Sequence, residues 1–109
     1  MISRIWHGFT SHENADTYEN LLKHEIFTGI RDRNIEGYRG IQLLRRELPR
    51  ETEFITIMWF DSIGSVREFA GEDYETAVVP EKARKVLARY DATSQHYTVL
   101  SDSFRLTGK

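Results

Sequence analysis

Seven consecutive residues from Phe54 to Phe60, all β-branched or aromatic except Met58, constrain this chain more than any other stretch. Phe54, Ile55, Thr56, Ile57, Met58, Trp59 and Phe60 read as a strand buried on both faces. Asp61 and Ser62 stop the strand and offer a helix N-cap. Ile63, Val66, Phe69 and Ala70 follow at helical spacing, and Gly71 is placed to end that helix in a left-handed turn. Alternation sends Ile55, Ile57 and Trp59 to one face and Phe54, Thr56, Met58 and Phe60 to the other. Both faces are apolar, so both need cover.

The remaining segments can be placed around this strand. Ile2 to Thr10 alternates as a strand, with Ile5, His7 and Phe9 on one face and Arg4, Trp6 and Gly8 on the other. Asn14 is a plausible cap for a helix from Ala15 to about Ile30, in which Tyr18, Leu21, Leu22, Ile26 and Ile30 recur at three- and four-residue steps. Tyr38 to Leu48 predicts a strand. The adjacent Leu43 and Leu44 suggest a bulge in it, and the turn at Pro49 to Thr52 makes it an antiparallel hairpin with the central strand. The stretch Glu72 to Val79 fits either a short helix or a loop. Pro80 opens a helix whose stripe is Ala83, Val86, Leu87 and Tyr90. Gln95 to Leu100 is the last strand, and residues 101–109 form a polar tail holding Phe104 and Leu106, which could lie across a partner.

The order strand, helix, strand, strand, helix, strand is the split β-α-β pattern of an α+β, ferredoxin-like domain. It implies one domain with a core at about residues 2–100, built on a four-stranded antiparallel sheet with helices on one face. His7 and Trp59 are expected to face the helices. Trp6, Phe54, Met58 and Phe60 are then left on a bare face, for which a second copy of the chain is the simplest cover.

Composition narrows the function. A net charge of −2 argues against a general nucleic-acid binder. The absence of cysteine excludes disulfides, thiolate metal sites and cysteine nucleophiles. No apolar run suits a membrane span and the first residues lack a signal-peptide core, so the expectation is a cytoplasmic protein. The histidines lack the helical spacing of a zinc site, and there is no phosphate loop, serine elbow or dinucleotide fingerprint. Arg45, Arg46 and Arg50 are interleaved with Glu47, Glu51 and Glu53, the mixture typical of a solvated surface.

Thr56-Ile-Met-Trp-Phe-Asp-Ser, followed by Phe69-Ala-Gly, Tyr74 and Ser94-Gln-His-Tyr, resembles the antibiotic biosynthesis monooxygenase family over roughly residues 2–100. The resemblance implies a dimeric α/β barrel. Its members include cofactor-free oxygenases of phenols and quinols, haem-degrading enzymes and proteins without a known reaction. Trp59 matches a pocket tryptophan of several members. His7 falls at or beside the first-strand polar residue, which is asparagine in the haem-degrading members. The haem-ligating histidine of those members would fall near Val78 or Val79, yet no histidine occurs between Asp73 and Gln95.

The function expected is therefore a cofactor-independent monooxygenase or oxidase of a small aromatic molecule. His7 would be the catalytic base, with Trp59, Tyr74, Tyr18, Tyr90 and His96 forming the substrate pocket. No metal and no cofactor are expected, and the partner is a second copy of the chain. Imidazole titrates near neutral pH and suits proton transfer, while an indole offers a flat apolar wall. Each residue also has a plainer reading, as a buried hydrogen-bonded histidine or an aromatic of the core. A non-catalytic binding or structural dimer is the alternative, and haem binding or degradation is a further one.

Overall fold

The computed structural model describes residues 1–103 of the 109-residue chain. Strand β1 (Ile2–Thr10) leads into α1 (Ala15–Leu21), a π-helical turn (Leu22–Ile26) and α2 (Phe27–Asp32). Strands β2 (Tyr38–Glu47) and β3 (Thr52–Phe60) form the hairpin, and α3 (Ile63–Ala70) and α4 (Glu81–Val86) follow. Two short strands close the described chain, β4 (Arg89–Tyr90) and β5 (Gln95–Thr98). The sheet order is β2-β3-β1-β4, every pairing is antiparallel, and β5 also pairs with β1. The pieces β4 and β5 thus share one edge of β1 and together act as the fourth strand. This is the α+β ferredoxin-like arrangement, with the helices on one face of the sheet.

Local chemistry explains the main boundaries. The Ser62 hydroxyl accepts a hydrogen bond from the Ser65 amide at 3.3 Å and caps α3. Gly71 ends that helix at φ 89°, a value that side chains with a Cβ rarely adopt. In the first helical stretch the inward residues Tyr18, Leu22, Ile26 and Ile30 are spaced four apart. Steps of four drift by about 40° each around a helix of 3.6 residues per turn. The π turn takes up part of that drift and keeps the stripe on the sheet.

Two local expectations are corrected. The pairing irregularity in β2 lies between Tyr38 and Gly40, not at Leu43 and Leu44. Those leucines divide between the faces instead: Leu43 packs on the core and Leu44 is exposed on the other side. The helix after Pro80 ends at Val86, because Leu87 turns extended and the edge of β1 captures the chain. There the Ala88 amide donates to Phe9 O at 2.8 Å and the Asp91 amide to His7 O at 3.0 Å. Tyr90 accordingly sits on a strand, not on a helical stripe. The stretch from Glu72 to Val79 forms a loop with one bridge, Thr76 to Thr93. Phe104 and Leu106 lie outside the described residues.

The larger correction concerns the faces. Phe54, Met58 and Phe60 are buried beneath the helices, packed with Tyr18, Leu22, Ala83 and Val66. Trp6 and Arg4 share their face, since Trp6 pairs with Thr56 and Arg4 with Met58. The opposite face carries Ile5, His7, Phe9, Ile55, Ile57 and Trp59, with no helix of the described residues over it. Strand alternation divides residues into two sets but does not say which set is inside. With both sets apolar, the sequence pattern does not break that tie. Three-dimensional packing does: Tyr18 meets Phe54 edge-on, with centroids 4.8 Å apart at 71°.

Candidate functional site

A cavity of about 70 Å³ lies between the inner sheet face and the helices. The sheet contributes Arg4, Trp6, Ile41, Thr56 and Met58. The first helical stretch contributes Tyr18, Leu22, Ile26, Phe27 and Ile30, and α3 contributes Phe69. Val78, Val79, Pro80, Ala83 and Ser94 complete the wall. Val78 is 51% exposed, so the opening lies beside the loop from Glu72 to Val79. The volume suits about five water molecules, at roughly 10–15 Å³ each. A ring enters fully only if that loop gives way.

Arg4 is the unusual group. It is 4% exposed on a sheet face that is otherwise mainly apolar. Its Nη1 donates to Tyr74 O and lies 2.9 Å from His96 Nε2, and its Nη2 reaches Thr76 O at 3.4 Å. The guanidinium also stacks over Phe69 at 5.4 Å. Desolvation draws its pKa down to about 10, so it stays charged at neutral pH. Among the described residues no carboxylate lies within salt-bridge distance of it. A cation can only donate, so the Nε2 facing it must be the lone-pair nitrogen of a neutral imidazole. Desolvation and the Arg4 charge both push the His96 pKa down, which agrees with that tautomer.

Trp6 forms a second wall. Its Nε1 donates to Asp91 O at 2.7 Å, and its ring leans on Tyr90 at 5.9 Å. Gly8 leaves room for it, since a Cβ there would stand 3.0 Å from both the Trp6 ring and Leu87. The Tyr18 ring is buried, and desolvation alone raises its hydroxyl well above the usual phenol value.

The candidates from sequence divide as follows. Tyr18 lines the cavity. His96 and Tyr74 stand one layer behind it, with their rings edge to face at 5.2 Å. His96 bonds Arg4, whereas Tyr74 reaches Arg4 through its carbonyl rather than its hydroxyl. Tyr90 supports Trp6 from outside and is exposed. His7 and Trp59 are not in the cavity. His7 Nδ1 is 3.1 Å from Glu53 Oε2, and Trp59 Nε1 donates to Gln42 Oε1 at 3.1 Å, both on the open face. A pocket bounded by His7, Trp59 and Tyr74 is therefore not formed, because the sheet separates the first two from the third. Sequence reasoning missed Arg4 and Trp6 as site residues. The signal was present: an arginine between Ile2 and Trp6, in phase with Phe54, Met58 and Phe60.

Haem does not fit these walls. Among the described residues no histidine lines the cavity, and Val78 and Val79 occupy the loop where the resemblance would require the ligand. Among the described residues no group of three or more His, Asp or Glu could hold a metal ion.

No protein-family model matches the sequence, and no curated protein matches it significantly. A crystal structure of a Bacillus cereus protein, a candidate antibiotic biosynthesis monooxygenase, matches with a TM-score of 0.67 and 12% sequence identity. The match covers 95% of this chain and 97% of that one. At this identity the likeness establishes the fold, and the chain has the α+β ferredoxin-like fold of that protein.

Proposed function

We propose that this protein is a cofactor-independent monooxygenase of small phenolic or quinol-type molecules, with its site in the cavity between sheet and helices. The observation that carries this reading is the cavity itself, whose lining combines the aromatic rings of Trp6, Tyr18, Phe27 and Phe69 with the buried Arg4. Aromatic walls bind a flat ring, and a fixed cation favours an anionic oxygen on it. The reaction balances without an external reductant. A phenolate gives electron density to dioxygen, a carbon–oxygen bond forms, and the ring hydroperoxide loses water as its O–O bond breaks. A phenol and one dioxygen thus give a quinone and one water. His7 has no part in these steps. Arg4 supports them by holding the anion.

Assembly as a homodimer through the open sheet face belongs to the same reading. Ile5, Phe9, Ile55, Ile57, Trp59, Leu44 and Tyr97 give that face an apolar surface interrupted by the His7–Glu53 and Trp59–Gln42 contacts, and apolar area of this kind calls for cover. No helix of the described residues is long and apolar enough to cross a membrane, and a cytoplasmic location is part of the proposal.

Oxygen uptake is the test. Purified protein treated with chelator should consume dioxygen in the presence of a phenol or quinol, without flavin or metal. A second reading, a binding protein without turnover, is favoured by the lack of a carboxylate or imidazole among the cavity walls. Saturable binding of the same compounds with no oxygen uptake above buffer would decide for that reading.

A further inference from the structure

The cavity pairs a buried cation with apolar rings and, among the described residues, offers nothing of opposite charge. Guanidinium carries five N–H donors. Three contacts engage Arg4, two through Nη1 and one through Nη2. Among the described residues that leaves the Nε hydrogen and one on Nη2 without a partner, donors enough for an anionic oxygen. Burying a charge is costly unless an anion or several hydrogen bonds compensate it. Two carbonyls, a neutral imidazole and the face of Phe69 supply partial compensation only. The cavity walls also contain no group suited to removing a proton from a neutral ligand.

We infer that the cavity selects small aromatic acids, molecules already anionic at neutral pH through a ring carboxylate or an acidic phenol, and that Arg4 is the residue that discriminates them from neutral aromatics. This inference rests on the proposed site and narrows its substrate class. The anionic oxygen would meet the free edge of the Arg4 fork, and the ring would lie among Trp6, Phe69 and Met58. For an acidic phenol the absence of a base then has a reason, because a phenol that arrives ionised needs none; an acid ionised only at a ring carboxylate would be bound and not oxidised.

The test compares benzoate with benzamide, which has nearly the same shape and no charge, and follows 4-nitrophenol by the colour of its anion. Wild-type protein should bind benzoate roughly ten- to a hundredfold more tightly than benzamide, the range for a charge-assisted hydrogen-bond pair. It should also ionise bound 4-nitrophenol at a lower pH than buffer does. Arg4→Met keeps the length of the side chain and removes the charge. It should fold with equal or higher thermal stability, lose the preference for benzoate and retain benzamide. If Arg4→Met does not fold, the wild-type preference and the 4-nitrophenol shift still decide. Equal binding of benzoate and benzamide overturns the inference and leaves the aromatic site standing. Failure of benzoate, benzamide, phenols and quinols alike overturns both.

Discussion

Arg4 and His96 face each other across the β1–β5 pairing, with Nη1 of the arginine 2.9 Å from Nε2 of the histidine. The contact fixes the imidazole as an acceptor and links the cavity wall to the edge strand. It also makes the stability of the fold depend on His96 staying neutral.

That dependence has a sign. The folded-state pKa of His96 lies below its ordinary value of 6.5, through desolvation first and the Arg4 charge second, with Glu75 opposing. The folded chain therefore binds fewer protons than the unfolded chain in the window just below 6.5. Stability is intact above that pH and is lost as the pH falls through the folded-state pKa. Thermal denaturation across that window should show a fall in Tm that His96→Gln reduces, and an unchanged pH profile in His96→Gln would contradict the assignment.

Met58 and Ile57 are neighbours in sequence and should behave oppositely. Met58 is buried under the helices, so Met58→Asp should destabilise the fold itself by at least about 3 kcal/mol, through lost packing and an unpaired charge. Ile57→Asp lies on the open face and should leave circular dichroism intact while halving the sedimenting mass. A folded, dimeric Ile57→Asp would show that the interface lies elsewhere.

Substitutions on the two faces also separate function. His7→Ala should leave affinity and turnover within about twofold, because the sheet stands between His7 and the cavity. Trp6→Ala should weaken ligand binding and cost about 3–5 kcal/mol of stability, while Trp6→Phe keeps the apolar wall and loses the bond to Asp91 O. A hundredfold loss of turnover in a folded His7→Ala would return catalysis to the open face.

The order of elements and the hairpin of β2 with β3 were legible in the sequence because each rests on a local signal. The turn at Pro49, the alternation of Phe54 to Phe60 and the Ser62 cap are examples. The helix after Pro80 was overextended because Leu87 and Tyr90 keep helical spacing by coincidence, and the β1 edge outcompetes that propensity. The site was legible only in part. Tyr18, His96 and Tyr74 were found because they are aromatic and near the helices or the closing strand. Arg4 and Trp6 were missed because the two faces of Phe54 to Phe60 are almost equally apolar, and choosing the wrong one moved every β1 and β3 side chain to the wrong side.

The two tryptophans stand on opposite faces, which allows one direct measurement of where a ligand binds. Nitrogen-15 correlation spectra should resolve two indole N–H signals, assigned by Trp6→Phe. Titration with benzoate or a phenol should shift the Trp6 signal and leave that of Trp59 in place. Movement of the Trp59 signal with Trp6 unmoved would contradict the central claim, that the ligand site is the cavity beneath the helices.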